Sequence, residues 1–73
     1  MITIPADLEQ YIKSYIHHQK LIVFGFIDTF FTIEEYYNGT FRVFAGKQLI
    51  AKNCMDYDDI KKAIEREVNE TGL

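Results

Sequence analysis

The pattern of apolar and polar positions divides the chain into an amphipathic helix, a β-rich centre and a second amphipathic helix. Near the start, Leu8, Tyr11, Ile12 and Tyr15 recur at helical spacing, with Ile4 and Ile16 at the margins of the stripe. Gln10, Lys13, Ser14 and His17 fall on the opposite side. Pro5 suits a first helical turn, where its missing N–H would have no partner, and Thr3 is the better capping side chain of the two residues before it. Asp7 and Glu9 then lie near the positive end of the helix dipole. The spacing predicts a helix over Pro5 to His18.

Leu21 to Ile27 is a continuous apolar run, rich in β-branched and aromatic residues. It reads as a strand buried on both faces, or as one with a face in an interface. Gly25 weakens a helical reading and marks a bulge or a close backbone contact. An alternative carries the first helix on through Val23. Asp28-Thr29 reads as a turn or bulge, so the first strand is long, bent near Asp28, or split in two. Phe30 to Tyr37 continues as strand, and Asn38-Gly39 closes it as a two-residue type I′ turn. That turn sets Tyr37 opposite Thr40, Tyr36 opposite Phe41 and Glu35 opposite Arg42. Tyr36, Phe41 and Val43 then share the core face, and Ile33, Glu35, Arg42 and Phe44 the other. Glu34 is out of place on the core side. A three-residue loop, Ala45 to Lys47, pairs Phe44 with Gln48 and Val43 with Leu49. This register gathers Phe41, Val43, Leu49 and Ala51 on one face and leaves Arg42 and Ile50 on the other. The last strand is Gln48 to Lys52.

The second helix has the clearest local signal. Asp56 is its cap, and Asp59 three residues later completes a capping box, with Met55 placed to staple against Ile60. Ile60, Ala63, Ile64 and Val68 form the buried stripe, with Tyr57 beside it. Asp58 and Lys62 are spaced for an ion pair, and Gly72 with Leu73 suits an end cap. The expected fold is a single α+β domain of order α-β-β-β-α, a small antiparallel meander with both helices packed on one face.

Composition then limits the function. With 73 residues there is room for one core, and a chain this short buries only about 60% of its unfolded surface. Yet 48% of it is hydrophobic, with five Tyr and six Phe, more than two short helices can cover. The net charge is -3 and the eight basic residues are scattered, so no basic stripe marks a nucleic-acid or anionic-membrane footprint. The single Cys54 permits no intrachain disulfide, which suits a reducing compartment. Met1 is followed by no signal-peptide pattern, and the longest apolar run is too short to span a bilayer, so the expected location is cytoplasmic.

The candidates for chemistry have simpler structural explanations. His17 and His18 point about 100° apart on a helix and do not converge on a metal. Asp56, Asp58 and Asp59 are explained by helix capping, and an EF-hand's glycine and glutamate are missing. Glu34 and Glu35 point to opposite faces of a strand. Cys54 precedes a helix cap with no histidine near it in sequence, and reads as a small buried apolar group. No catalytic, cofactor or metal site is expected.

The surplus of apolar surface therefore points to a small interaction module, binding itself as a homodimer, or binding and blocking another protein, through an apolar sheet face or edge. Phe24, Phe26, Phe30, Ile33, Phe44 and Ile50 are the expected anchors, with Glu35 and Arg42 at the rim. Size and acidic charge also fit accessory proteins of phages and mobile elements. The alternative is a single-stranded nucleic-acid module that stacks bases on Tyr36, Tyr37, Phe41 and Phe44.

Overall fold

The apolar centre of the chain splits into two strands at Ile27-Asp28, where both residues take a positive φ, 49° and 58°. Two consecutive left-handed residues make a type I′ hairpin turn, whose twist matches that of the flanking strands. The computed structural model describes residues 1–71. In chain order the elements are α1 (Ala6–Tyr15), β1 (Leu21–Phe26), β2 (Thr29–Glu35), β3 (Phe41–Ala45), β4 (Gln48–Cys54) and α2 (Tyr57–Thr71). The strands form one antiparallel sheet in the order β1-β2-β3-β4. The fold is the expected α+β meander with both helices on one face, its first strand resolved into β1 and β2.

Helix α1 is shorter than its apolar spacing suggests. Pro5 is the N-cap residue, with extended backbone and no side-chain cap bond. Thr3 does not cap, because the residues before Pro5 run along α2. Ile2 N–H donates to Asn69 Oδ1 at 2.8 Å and Ile4 N–H to Glu65 Oε2 at 2.9 Å. At the other end, His18 and Gln19 N–H both donate to Tyr15 C=O, and the chain leaves the helix in time to begin β1 at Leu21. The buried stripe runs through Ile12 and Ile16, with Leu8 partly covered. Tyr11 and Tyr15 sit on its exposed flank and pack on each other, ring centroids 5.1 Å apart.

The β2–β3 register differs from the expected one by a single residue. Ile33 faces Val43, Glu34 faces Arg42 and Glu35 faces Phe41. Asn38 does not take a positive φ; Gly39 alone does, at 86°. The connection is therefore a three-residue loop, a type I turn closed by a left-handed glycine, with Gly39 N–H donating to Tyr36 C=O. Asn38 acts through its side chain, whose Oδ1 accepts from Thr40 N–H and Oγ1. Because side chains alternate along a strand, the one-residue difference exchanges faces. Ile33 goes into the core and Glu34 leaves it, the arrangement that avoids burying a carboxylate.

The β3–β4 connection is, by contrast, tighter than expected, a two-residue Gly46-Lys47 turn that pairs Ala45 with Gln48 and Phe44 with Leu49. Gly46 at φ 62° supplies the first position of a type II′ turn. Two register shifts follow, so that Val43 faces Ala51 and Phe41 faces Cys54. Ile50 lies in the first irregular stretch and packs against the core, while Leu49 is turned outward. Asn53, at φ 60°, lies in the second.

Between sheet and helices lie Ile22, Phe24, Phe31, Ile33, Phe41 and Val43 from the strands and Ile12, Ile16, Ile60, Ile64 and Val68 from the helices. Each large side chain buried there contributes about 1.5–3 kcal/mol. The α2 cap forms half of the expected box: Asp59 N–H donates to Asp56 Oδ1 at 3.2 Å, while Asp59 Oδ2 accepts not from the cap residue but from Met55 N–H before it, at 3.0 Å. Met55 itself is exposed and makes no staple with Ile60, which is fully buried. Asp58 and Lys62 do not pair; Glu9 and Lys13 on α1 do, at 3.3 Å. The end cap expected at Gly72 and Leu73 lies outside the described residues.

Candidate interaction surface

The second face of the sheet carries no helix. Its central row runs Val23, Thr32, Phe44, Leu49, one residue from each strand and each paired with the next. Leu21, Glu34 and Arg42 form the neighbouring row on one side, and Gly25 with Phe30 the row on the other. Phe30 is 71% exposed, Val23 51%, Leu21 49% and Leu49 43%. These side chains form one apolar surface, interrupted by a single ion pair. Arg42 Nε donates to Glu34 Oε1 at 2.9 Å, and the guanidinium lies 4.4 Å from the Tyr36 ring centroid and 5.9 Å from that of Phe44. Arg42 is thus fixed in place as part of the surface.

Of the eight residues expected to bind a partner, Phe30, Arg42 and Phe44 lie on this face. Phe24 and Ile33 are buried beneath the helices, and Phe26 and Ile50 pack against the same core. Glu35 is exposed but shares the core-side parity of Ile33 and lies opposite Phe41. The register difference at Gly39 and the turn at Ile27-Asp28 account for the exchange. Leu21, Val23 and Leu49 take the vacated places. Strand geometry alone groups Leu21, Val23 and Gly25 on one face and Ile22, Phe24 and Phe26 on the other, but the uniformly apolar run carries no signal for which face is covered.

Edge strand β1 borders this face. It contains no charge, no proline and no bulge, and its pairing with β2 is unbroken from Leu21 to Phe26. Edges of this kind are templates for another strand. The opposite edge, β4, is protected by its two register shifts, the left-handed Asn53 and the exposed Lys52.

The candidates for chemistry stay apart. His17 packs edge-on against Phe41 at 5.7 Å. Cys54 is buried, and its thiol is pushed up from its ordinary value by that burial first, then by Asp59 and Asp56. Tyr57 is buried under Lys13, whose Nζ is 5.1 Å from the ring centroid. Among the described residues, no group of three or more His, Cys, Asp or Glu is placed to hold a metal ion. The aromatic quartet is dispersed: Phe41 is in the core, Tyr36 and Tyr37 pack on each other at 4.5 Å beside the loop, and Phe44 stands on the outer face. No helix among the described residues is long and apolar enough to cross a membrane. Comparison with protein-family models, curated proteins and solved structures finds no match for this chain.

Proposed function

We propose that this chain is a small non-enzymatic interaction module whose working surface is the helix-free face of its sheet and whose partner there is a second copy of itself. The observation that carries the reading is the exposure of Leu21, Val23, Phe30 and Leu49 on one contiguous face beside an unprotected edge strand. Apolar surface of this kind is stabilised by being covered. A chain of this size also gains proportionately more from doubling than a large one does.

Light scattering across a dilution series tests it. The molar mass should approach twice 8.6 kDa at high concentration and fall towards 8.6 kDa on dilution. Phe30→Asp, which changes an exposed side chain and leaves the core intact, should hold the mass at the lower value. A monomer at every concentration overturns the reading. Oligonucleotide binding that weakens steeply with salt would favour the alternative, a nucleic-acid module.

A further inference from the structure

The backbone geometry of β1 points to one mode of self-association: we propose that β1 pairs antiparallel with β1 of a second copy, with Val23 on the two-fold axis. The proposal rests on the self-association reading above and specifies its geometry.

Two hydrogen bonds fix which backbone groups of β1 face outward. Lys20 C=O accepts from Glu35 N–H at 2.8 Å, so the Lys20 carbonyl faces β2. Phe30 C=O accepts from Gly46 N–H at 2.8 Å, so Phe30 is turned towards β3 and its partner Gly25 is turned outward. Alternation then leaves the N–H and C=O of Leu21, Val23 and Gly25 facing the open edge. Among the described residues, no backbone group from outside the sheet pairs with them.

In an antiparallel pair, outward groups must oppose outward groups. The register that uses all of them sets Val23 opposite Val23 of the second copy and Leu21 opposite its Gly25. Each opposed pair exchanges both of its N–H···O bonds. The four-stranded sheet becomes a continuous eight-stranded one, with all helices on one side and both apolar faces joined on the other.

Two features of the strand complement themselves in this register. The first is shape. Gly25 leaves a gap where an added Cβ would lie 3.7 Å from the Phe30 ring, and a depression runs along Gly25, Phe26, Ile27 and Phe30. The half-exposed Leu21 of the second copy arrives opposite that gap and lies against the ring. The second is charge. Lys20 precedes β1 and Asp28 follows it, both exposed, so antiparallel pairing puts each Lys20, opposite Phe26, at the same end as the other copy's Asp28, two residues further along. A parallel arrangement would set like charges together.

Cysteine placement and amide exchange read the register. Under diamide, the full-length Val23→Cys chain should convert to a covalent dimer. Leu21→Cys should stay unlinked, because its two copies are about 13 Å apart in this register. The parent chain, whose Cys54 is buried, serves as the unlinked control. Slow exchange of the Leu21, Val23 and Gly25 amides should appear as concentration rises and be lost in Gly25→Leu, which fills the gap. Linkage through Leu21→Cys with none through Val23→Cys would show a shifted register and overturn the proposal. A dimer by light scattering with the Leu21, Val23 and Gly25 amides still exchanging fast would overturn it and leave self-association through the sheet face standing. A monomer at all concentrations would overturn both.

Discussion

Arg42 lies directly across the strand pair from Glu34, bonded to its carboxylate and stacked over the Tyr36 ring. Both charged side chains are about a third exposed, 34% each, so water screens much of their attraction. A double-mutant cycle on Glu34→Gln and Arg42→Met should give a coupling of about 0.2–1 kcal/mol. The value should shrink between low and high salt. A coupling that is unchanged by salt would mean that the pair is far better shielded than its exposure indicates.

Ile27 is a β-branched residue held in a left-handed turn, φ 49°, with its side chain 44% exposed. Cβ crowding makes this conformation cost roughly 1–2 kcal/mol for an ordinary L-residue, and asparagine tolerates it better. Ile27→Asn should therefore raise monomer stability by about 1 kcal/mol in urea melts at a concentration where the chain is dissociated. Gly39→Ala should do the reverse by a similar amount, since it puts a Cβ at φ 86°. No change at Ile27 would show that its apolar contacts offset the strain.

Asn69 ties the N-terminal segment to α2. Its Nδ2 donates to Ile2 C=O at 2.9 Å and to Glu65 C=O at 2.7 Å, while its Oδ1 accepts from Ile2 N–H. Asn69→Ala should cost about 1–2 kcal/mol. The Ile2 amide should lose protection from exchange more than the buried strands do. Uniform loss across the molecule would argue that the segment is integral to global unfolding.

Some elements were legible in the sequence because one local cause dominates them. Asp56, Asp59 and the stripe from Ile60 to Val68 place the second helix from neighbouring residues alone. The sheet register was not legible, because it turns on one φ angle at Asn38, which the Asn-Gly dipeptide leaves open. That angle decides whether Ile33 or Glu34 is buried, and with it the composition of the outer face. The break near Asp28 was legible as a turn or a split strand, but its placement one residue earlier, at Ile27-Asp28, was not, since isoleucine is an unfavourable residue for a left-handed turn. The misplacement of Glu34 in the expected register was the sequence's own sign of error. It followed from the cost of burying a carboxylate, and the structure removes it by one residue of shift.

Tyr57 has a buried hydroxyl with no hydrogen-bond partner among the described residues, and its pKa is pushed up from 10.0 to about 12. Burial is the main cause, followed by the carboxylates of Glu9, Glu65 and Asp58. The folded state therefore holds the phenolic proton more tightly than the unfolded chain does. Stability from this group is complete below pH 10 and is lost as the pH rises towards 12. Tyr57→Phe removes both the unsatisfied hydroxyl and the titration. It should leave the protein as stable as the parent or more so at pH 7, by up to about 1–3 kcal/mol. Urea midpoints of parent and variant should then diverge further between pH 10 and 12, with the variant keeping more of its stability. The difference between the two profiles isolates Tyr57. A variant that is less stable at pH 7 would mean that the hydroxyl has a partner in solution. Parallel pH profiles would mean that it ionises as freely in the fold as in the unfolded chain.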